Sequence, residues 1–174
     1  MSKQIISGTG ELVDLKQWQQ FKGILRGDKL SENFTWQEFD CEGEFLLSEV
    51  LIDFLQVIRR RWGKPMKVNS GYRTKAKQEQ LKAQGYKAAT FSPHTKGMAA
   101  DIDTTSKQET NDLAQLIINT AKQLKLPIRV GYLDYLKVGQ TFVHIDVCPH
   151  YYGKGRPYYE QNHPPAWEKA YLTW

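Results

Sequence analysis

The chain has 174 residues, and 24 Lys plus Arg against 19 Asp plus Glu give it a formal net charge of +5. That length suits one domain with a sizeable core, and 40% hydrophobic with 25% charged residues excludes a globally disordered chain. The apolar clusters Phe45-Leu46-Leu47 and Val50-Leu51-Ile52 are broken by Ser48, Glu49 and Asp53, well short of the roughly 18–20 apolar residues of a membrane span.

The opening Met-Ser-Lys-Gln-Ile-Ile-Ser-Gly has no apolar stretch of the kind a secretory signal needs, so none is expected. Cys41 and Cys148 are too few for a disulfide framework and are read as free thiols, with a single bridge as the alternative. The basic residues are dispersed. The run Arg59-Arg60-Arg61 falls on a predicted helix, where neighbours point in different directions. No helix-turn-helix, zinc-finger or RNP spacing accompanies it, so no nucleic-acid partner is expected.

In chain order, residues 1–29 read as an arm packed on the body or a leader, with one helical segment from Asp14 to Lys22. Residues 30–174 read as one domain ending in a Tyr- and Pro-rich tail, with Trp167 and Trp174 as anchors. Thr35 and Glu38 form a capping box that turns Phe39 inward. From Phe45 to Trp62, apolar residues at 47, 50, 51, 54, 55, 58 and 62 predict an amphipathic helix stopped by Gly63 and Pro65. Met66–Ser70 reads as a strand, Thr74–Gln84 as a helix and 86–98 as a loop. Ala99–Asp103 reads as a strand, and Ser106 with Glu109 caps a helix that runs to Lys125. Ile128–Tyr132 and Thr141–Val147 read as two strands joined by a short loop. Irregularly interspersed helices and short strands favour an α+β fold with a small, largely antiparallel sheet.

Three segments carry chemistry: Ser70-Gly71-Tyr72-Arg73-Thr74, the stretch from Ser92 to Asp103, and Phe142-Val143-His144-Ile145-Asp146. A catalytic zinc takes three protein ligands from imidazole nitrogens and carboxylate oxygens and leaves a fourth position open. His94, Asp101 and His144 supply that set if adjacent strands bring them together. Taken singly, each has a blander reading, as a loop histidine, a strand carboxylate or a core histidine. Asp101 and Asp103 share a strand face, so a positive partner is needed there: a cation, Arg73 or a lysine.

The order Ser-Gly-Tyr-Arg-Thr, Ser-x-His-x-x-Gly-x-Ala-x-Asp-Ile-Asp and Phe-Val-His-Ile-Asp resembles the zinc D-Ala-D-Ala carboxypeptidase family, whose superfamily includes lysostaphin-type peptidases and the hedgehog domain. The resemblance runs from about Leu30 to Val147. It implies an α+β fold with the site on a central antiparallel sheet. It also implies zinc held by His94, Asp101 and His144, with Arg73 holding a substrate carbonyl or carboxylate. Substrates would be peptide bonds of bacterial peptidoglycan, cut by carboxypeptidase or endopeptidase action. The general base departs from the family pattern. Relatives carry Glu three residues before the last histidine, or His two before it; here those positions are Thr141 and Phe142. Asp146 is read either as the base or as an acceptor that orients a ligand, and Asp103 as an orienting residue. Tyr132 and Tyr135 are weak oxyanion-donor candidates, and His150 and His163 are read as surface residues of the tail. A monomeric metallopeptidase hydrolase is expected, made in the cytoplasm and acting at the cell wall, as phage endolysins and virion enzymes do. The alternative is a catalytically silent wall-binding or virion protein on the same zinc fold.

Overall fold

The computed structural model describes residues 3–85, 92–153 and 172–173. Two sheets and six helices organise them. Strands β1 (Gln4–Ile6), β2 (Leu12–Asp14) and β3 (Leu46–Ser48) form a small sheet in the order β2-β1-β3, with β1 parallel to β3. The main sheet is antiparallel throughout, in the order β4-β5-β7-β6-β8. Its strands are β4 (Lys67–Ser70), β5 (Ala99–Asp103), β6 (Arg129–Gly131), β7 (Phe142–Asp146) and β8 (Leu172–Thr173). The fold is α+β, as the sequence predicts.

Helix α1 (Leu15–Phe21) is capped by Asp14, whose carboxylate accepts from the Lys16 and Gln17 N–H groups. It buries Leu15 and Trp18, and β1 buries Ile5 and Ile6, so the arm packs on the body. Helix α2 (Glu49–Trp62) begins where the Ser48 hydroxyl accepts from Leu51 N–H and ends at Gly63, in the left-handed region at φ 72°. The predicted helix started at Phe45. Instead Leu46–Ser48 pairs with β1, a long-range partner that local periodicity does not register. The basic run lies on the last turn, where it opposes the helix dipole. Arg60 pairs with Glu32, and Arg61 donates to Thr120 and Gln123.

Helices α3 (Lys75–Ala83) and α4 (Lys107–Leu124) fall where predicted, capped by Thr74 and Ser106. Two short helices do not. Helix α5 (Leu133–Lys137) occupies the connection read as a loop between β6 and β7, and α6 (Cys148–Tyr152) follows β7 directly. Five residues make too little of a helical period to stand out from a loop.

The core lies between the main sheet and helices α2 and α4. Ala100, Ile102, Val143, Ile145 and Val130 face it from the sheet, and Leu55, Ile58, Leu113, Ile117 and Ala121 from the helices. Strand side chains alternate between faces, so the intervening residues Asp101, Asp103, Phe142, His144 and Asp146 project from the opposite side. Cys41 is a half-buried free thiol and Cys148 a buried one. No helix among the described residues is long and apolar enough to cross a membrane. His163, Trp167 and Trp174 lie outside the described residues.

Candidate metal centre

Asp101 on β5 and His144 on β7 are direct cross-strand partners, so sheet register alone places imidazole beside carboxylate. His94 reaches them from a short 3-10 turn, Pro93–Lys96. That turn closes at Gly97 with φ 66°, where a Cβ would stand 2.5 Å from the Leu46 carbonyl oxygen. Only glycine fits there. The Gly97 carbonyl accepts from Ser48 N–H at 2.7 Å, so β3 buttresses the turn that carries His94.

The three side chains converge closely. His144 Nδ1 lies 2.8 Å from Asp101 Oδ1 and 3.3 Å from His94 Nε2, and His94 Nε2 lies 3.3 Å from Asp101 Oδ2. All three residues are buried, at 4%, 8% and 4% exposure for His94, Asp101 and His144. The outer nitrogens fix the tautomers. His94 Nδ1–H donates to the Gly71 carbonyl at 2.7 Å, and His144 Nε2–H donates to Asp146 Oδ2 at 3.2 Å. Each inner nitrogen therefore turns a lone pair toward the other and toward a carboxylate. Three electron-rich atoms at this spacing require a cation or a proton between them. Tetrahedral bonds of about 2.0–2.1 Å put ligand atoms roughly 3.3 Å apart, so the residues fit a zinc-like ion.

The electrostatics agree. Burial pushes the Asp101 carboxyl upward, but His94 and His144 outweigh it and hold the group well below the usual carboxylate range. Burial also works against a charged His144, but bonds to Asp101 and Asp146 push its pKa up to about 9. The lowered Asp101 and raised His144 favour a positive charge at the point where the three side chains converge.

Asp146 is fully buried. Its two oxygens lie 3.0 Å from Arg129 Nε, and they also accept from His144 and from Cys148 N–H at 3.1 Å. Burial raises the Asp146 pKa, but His144 and Arg129 more than reverse this and leave it lowered. Both oxygens accept from these donors, a geometry that suits an acceptor orienting His144, one of the two readings of Asp146. Arg129, 2% exposed and cross-strand from Asp146, was missed. Its signal was an arginine inside the apolar run Ile128-Arg129-Val130. Asp103, among the contacts described, ion-pairs with Lys67 at 2.8 Å. The two strand carboxylates thus have separate positive partners.

Arg73 stands at the rim. Its guanidinium donates to Ser70 Oγ at 2.9 Å and Gln78 Oε1 at 3.1 Å, and one nitrogen lies 3.8 Å from Asp101 Oδ2. Its backbone N–H donates to the His94 carbonyl, which ties the arginine loop to the histidine turn. Tyr135 stacks on Phe142 with ring centroids 4.2 Å apart, and Tyr132 packs partly against the core. His150 is half-buried and donates to the Gly8 carbonyl, on the side of the small sheet.

Among known proteins, residues 23–146 match the family described as Peptidase M15. One similar solved structure is the L-Ala D-Glu endopeptidase ChiX of Serratia marcescens, with TM-score 0.48 and 18% identity over 58% of this chain and 80% of that one. No curated protein matches the sequence. The match spans the arginine loop, the histidine turn and every strand that bears a candidate ligand, and the chain belongs to the M15 peptidase family.

Proposed function

We propose that the chain is a zinc-dependent peptidase of bacterial peptidoglycan, cutting stem or cross-bridge peptides that contain D-amino acids. The observation that carries this reading is the convergence of His94 Nε2, Asp101 and His144 Nδ1, with outer hydrogen bonds that turn both imidazole lone pairs inward. Zinc held by these atoms would lower the pKa of a bound water toward ~7 and polarise the scissile carbonyl.

The chain's own residues supply the rest. Arg73 presents a permanent planar charge beside the centre, held by Ser70 and Gln78. It is placed to hold a substrate carbonyl or carboxylate and to stabilise negative charge that develops there. Gly71 and Asp146 keep the ligand imidazoles in one tautomer and one orientation.

The test is bound zinc in the purified protein, with cleavage of intact peptidoglycan, for wild type, His144→Ala and Asp101→Ala. Near-stoichiometric zinc and cleavage, both lost in both variants, are expected. Arg73→Ala should keep the zinc and lose roughly 10²–10³-fold in kcat. A zinc-free wild type would overturn the ligand set. One observation favours the silent wall-binding alternative: Thr141 and Phe142 stand where relatives carry a base. Stoichiometric zinc and wall binding with no cleavage across several wall types would select it.

A further inference from the structure

The side of the sheet that bears His144 has a closed end and an open end. On the closed side, the pleat step next to Asp101 and His144 holds Ala99, Asp146 and Arg129, at 0%, 0% and 2% exposure. On the other side, about 7 Å along the strands, the step holds Lys67, Asp103 and Phe142 in one cross-strand row. This row meets solvent: the Lys67 side chain is 78% exposed and that of Asp103 29%, and Phe142 is half-buried. Tyr135 extends it by stacking on Phe142.

A peptide lying along this open end with its carbonyl at the metal centre would have the row beneath its next side chain. The row has an order. An aromatic pair lies on the β7 side, a carboxylate follows on β5, and a loosely held lysine stands at the sheet edge. Aromatic faces favour a hydrocarbon stem and tolerate a cation. An exposed ion pair such as Lys67–Asp103 contributes little, so an incoming ammonium can replace Lys67 at Asp103 with small loss.

We infer that Phe142, Tyr135 and Asp103 form the subsite beside the scissile bond, and that it takes a diamino-acid side chain, methylene stem on the aromatic pair and ammonium at Asp103. This inference rests on the peptidase reading of the metal centre. The ammonium has two sources in wall peptides, lysine and diaminopimelate. The second adds a carboxylate that Lys67 would meet.

The test is calorimetric binding of soluble stem peptides to the zinc-loaded protein, with lysine, diaminopimelate or alanine at the diamino position, followed by a cleavage assay. Wild type should bind either diamino peptide at least tenfold more tightly than the alanine peptide. Phe142→Ala and Asp103→Asn should each remove most of that preference, with zinc content and the visible spectrum of the cobalt-substituted protein unchanged. Lys67→Met, at an exposed position, should weaken only the diaminopimelate peptide if that is the natural side chain, and should spare both diamino peptides if lysine is. Equal affinity of wild type for all three peptides would overturn the subsite. So would a preference that survives both Phe142→Ala and Asp103→Asn. Peptides that bind with the expected preference but are never cut would support the subsite and remove the peptidase reading.

Discussion

At the scale of single residues, the centre depends on groups that never touch a substrate. Arg129 and Asp146 form a buried ion pair whose carboxylate also holds the His144 ring. Removing one partner strands a buried charge, which typically costs about 3–5 kcal/mol. Arg129→Met should therefore lower the urea midpoint sharply and weaken zinc binding. Asp146→Asn keeps the shape and one acceptor. It leaves the Arg129 charge buried, so it should also cost stability, and about 10–100-fold in zinc affinity, measured by competition with a chelator. If Asp146→Asn leaves zinc affinity untouched, the orienting role fails. Gly97→Ala combines two penalties. Its backbone sits at φ 66°, and a Cβ would meet the Leu46 carbonyl at 2.5 Å. The left-handed conformation alone costs a non-glycine residue about 1–2 kcal/mol. Since His94 is three residues upstream, the loss should appear in both thermal stability and zinc affinity; a change in stability alone would show that the turn does not position His94.

At the scale of elements, the legible parts were those with local signatures. The strand Ala99–Asp103 and the helix Lys107–Leu124 carry their period, cap and stop within their own residues. The candidate ligands were legible through the ordered motifs around Arg73, His94 to Asp103 and His144 that carry the family resemblance, whereas the register that makes Asp101 and His144 partners came only with the structure. What escaped was long-range. β3 exists because β1 lies beside it, and Arg129 is intelligible only once Asp146 is placed across from it. α5 and α6 are too short to show a period. Ser48 sits where these non-local links meet. Its hydroxyl caps α2 and bonds the Tyr151 hydroxyl at 2.8 Å, and its N–H holds the Gly97 carbonyl. Ser106 caps α4 in the same way but at an exposed position. Ser106→Ala should cost about 1 kcal/mol. Ser48→Ala should cost more, about 2 kcal/mol, because it also removes a buried side-chain bond to the Tyr151 hydroxyl, which keeps its bond to the Ser7 carbonyl. Equal urea midpoints for the two variants would count against the link between α6 and β3.

At the scale of the whole molecule, a metal at this centre would compete with a proton for one place, so the alkaline loss of stability belongs to the metal-free form alone. In the metal-free protein, His144 is pushed up to about 9 from an ordinary value of 6.5. A raised histidine contributes stability that is complete below about pH 6.5 and lost as pH climbs through about 9. At about 1.4 kcal/mol per unit, the contribution is on the order of 3 kcal/mol. Asp101 and Asp146 are lowered, so their contributions are present above their ordinary value of 3.8 and fade in acid. The metal-free protein should therefore be most stable between about pH 4 and 6.5 and weaken steadily toward 9. Zinc would cancel the alkaline loss in the upper half of that profile. It binds the neutral imidazole and displaces the proton, so its affinity rises across the same window. At a thousandfold excess over its dissociation constant it adds about 4 kcal/mol. Urea unfolding of chelator-treated and zinc-loaded protein at pH 6 and pH 8.5 measures both slopes. The gap between the two forms should widen with pH, and His144→Ala should flatten it. A metal-free midpoint that does not move between those pH values would mean that no proton occupies the centre, and the converging geometry would then need another explanation.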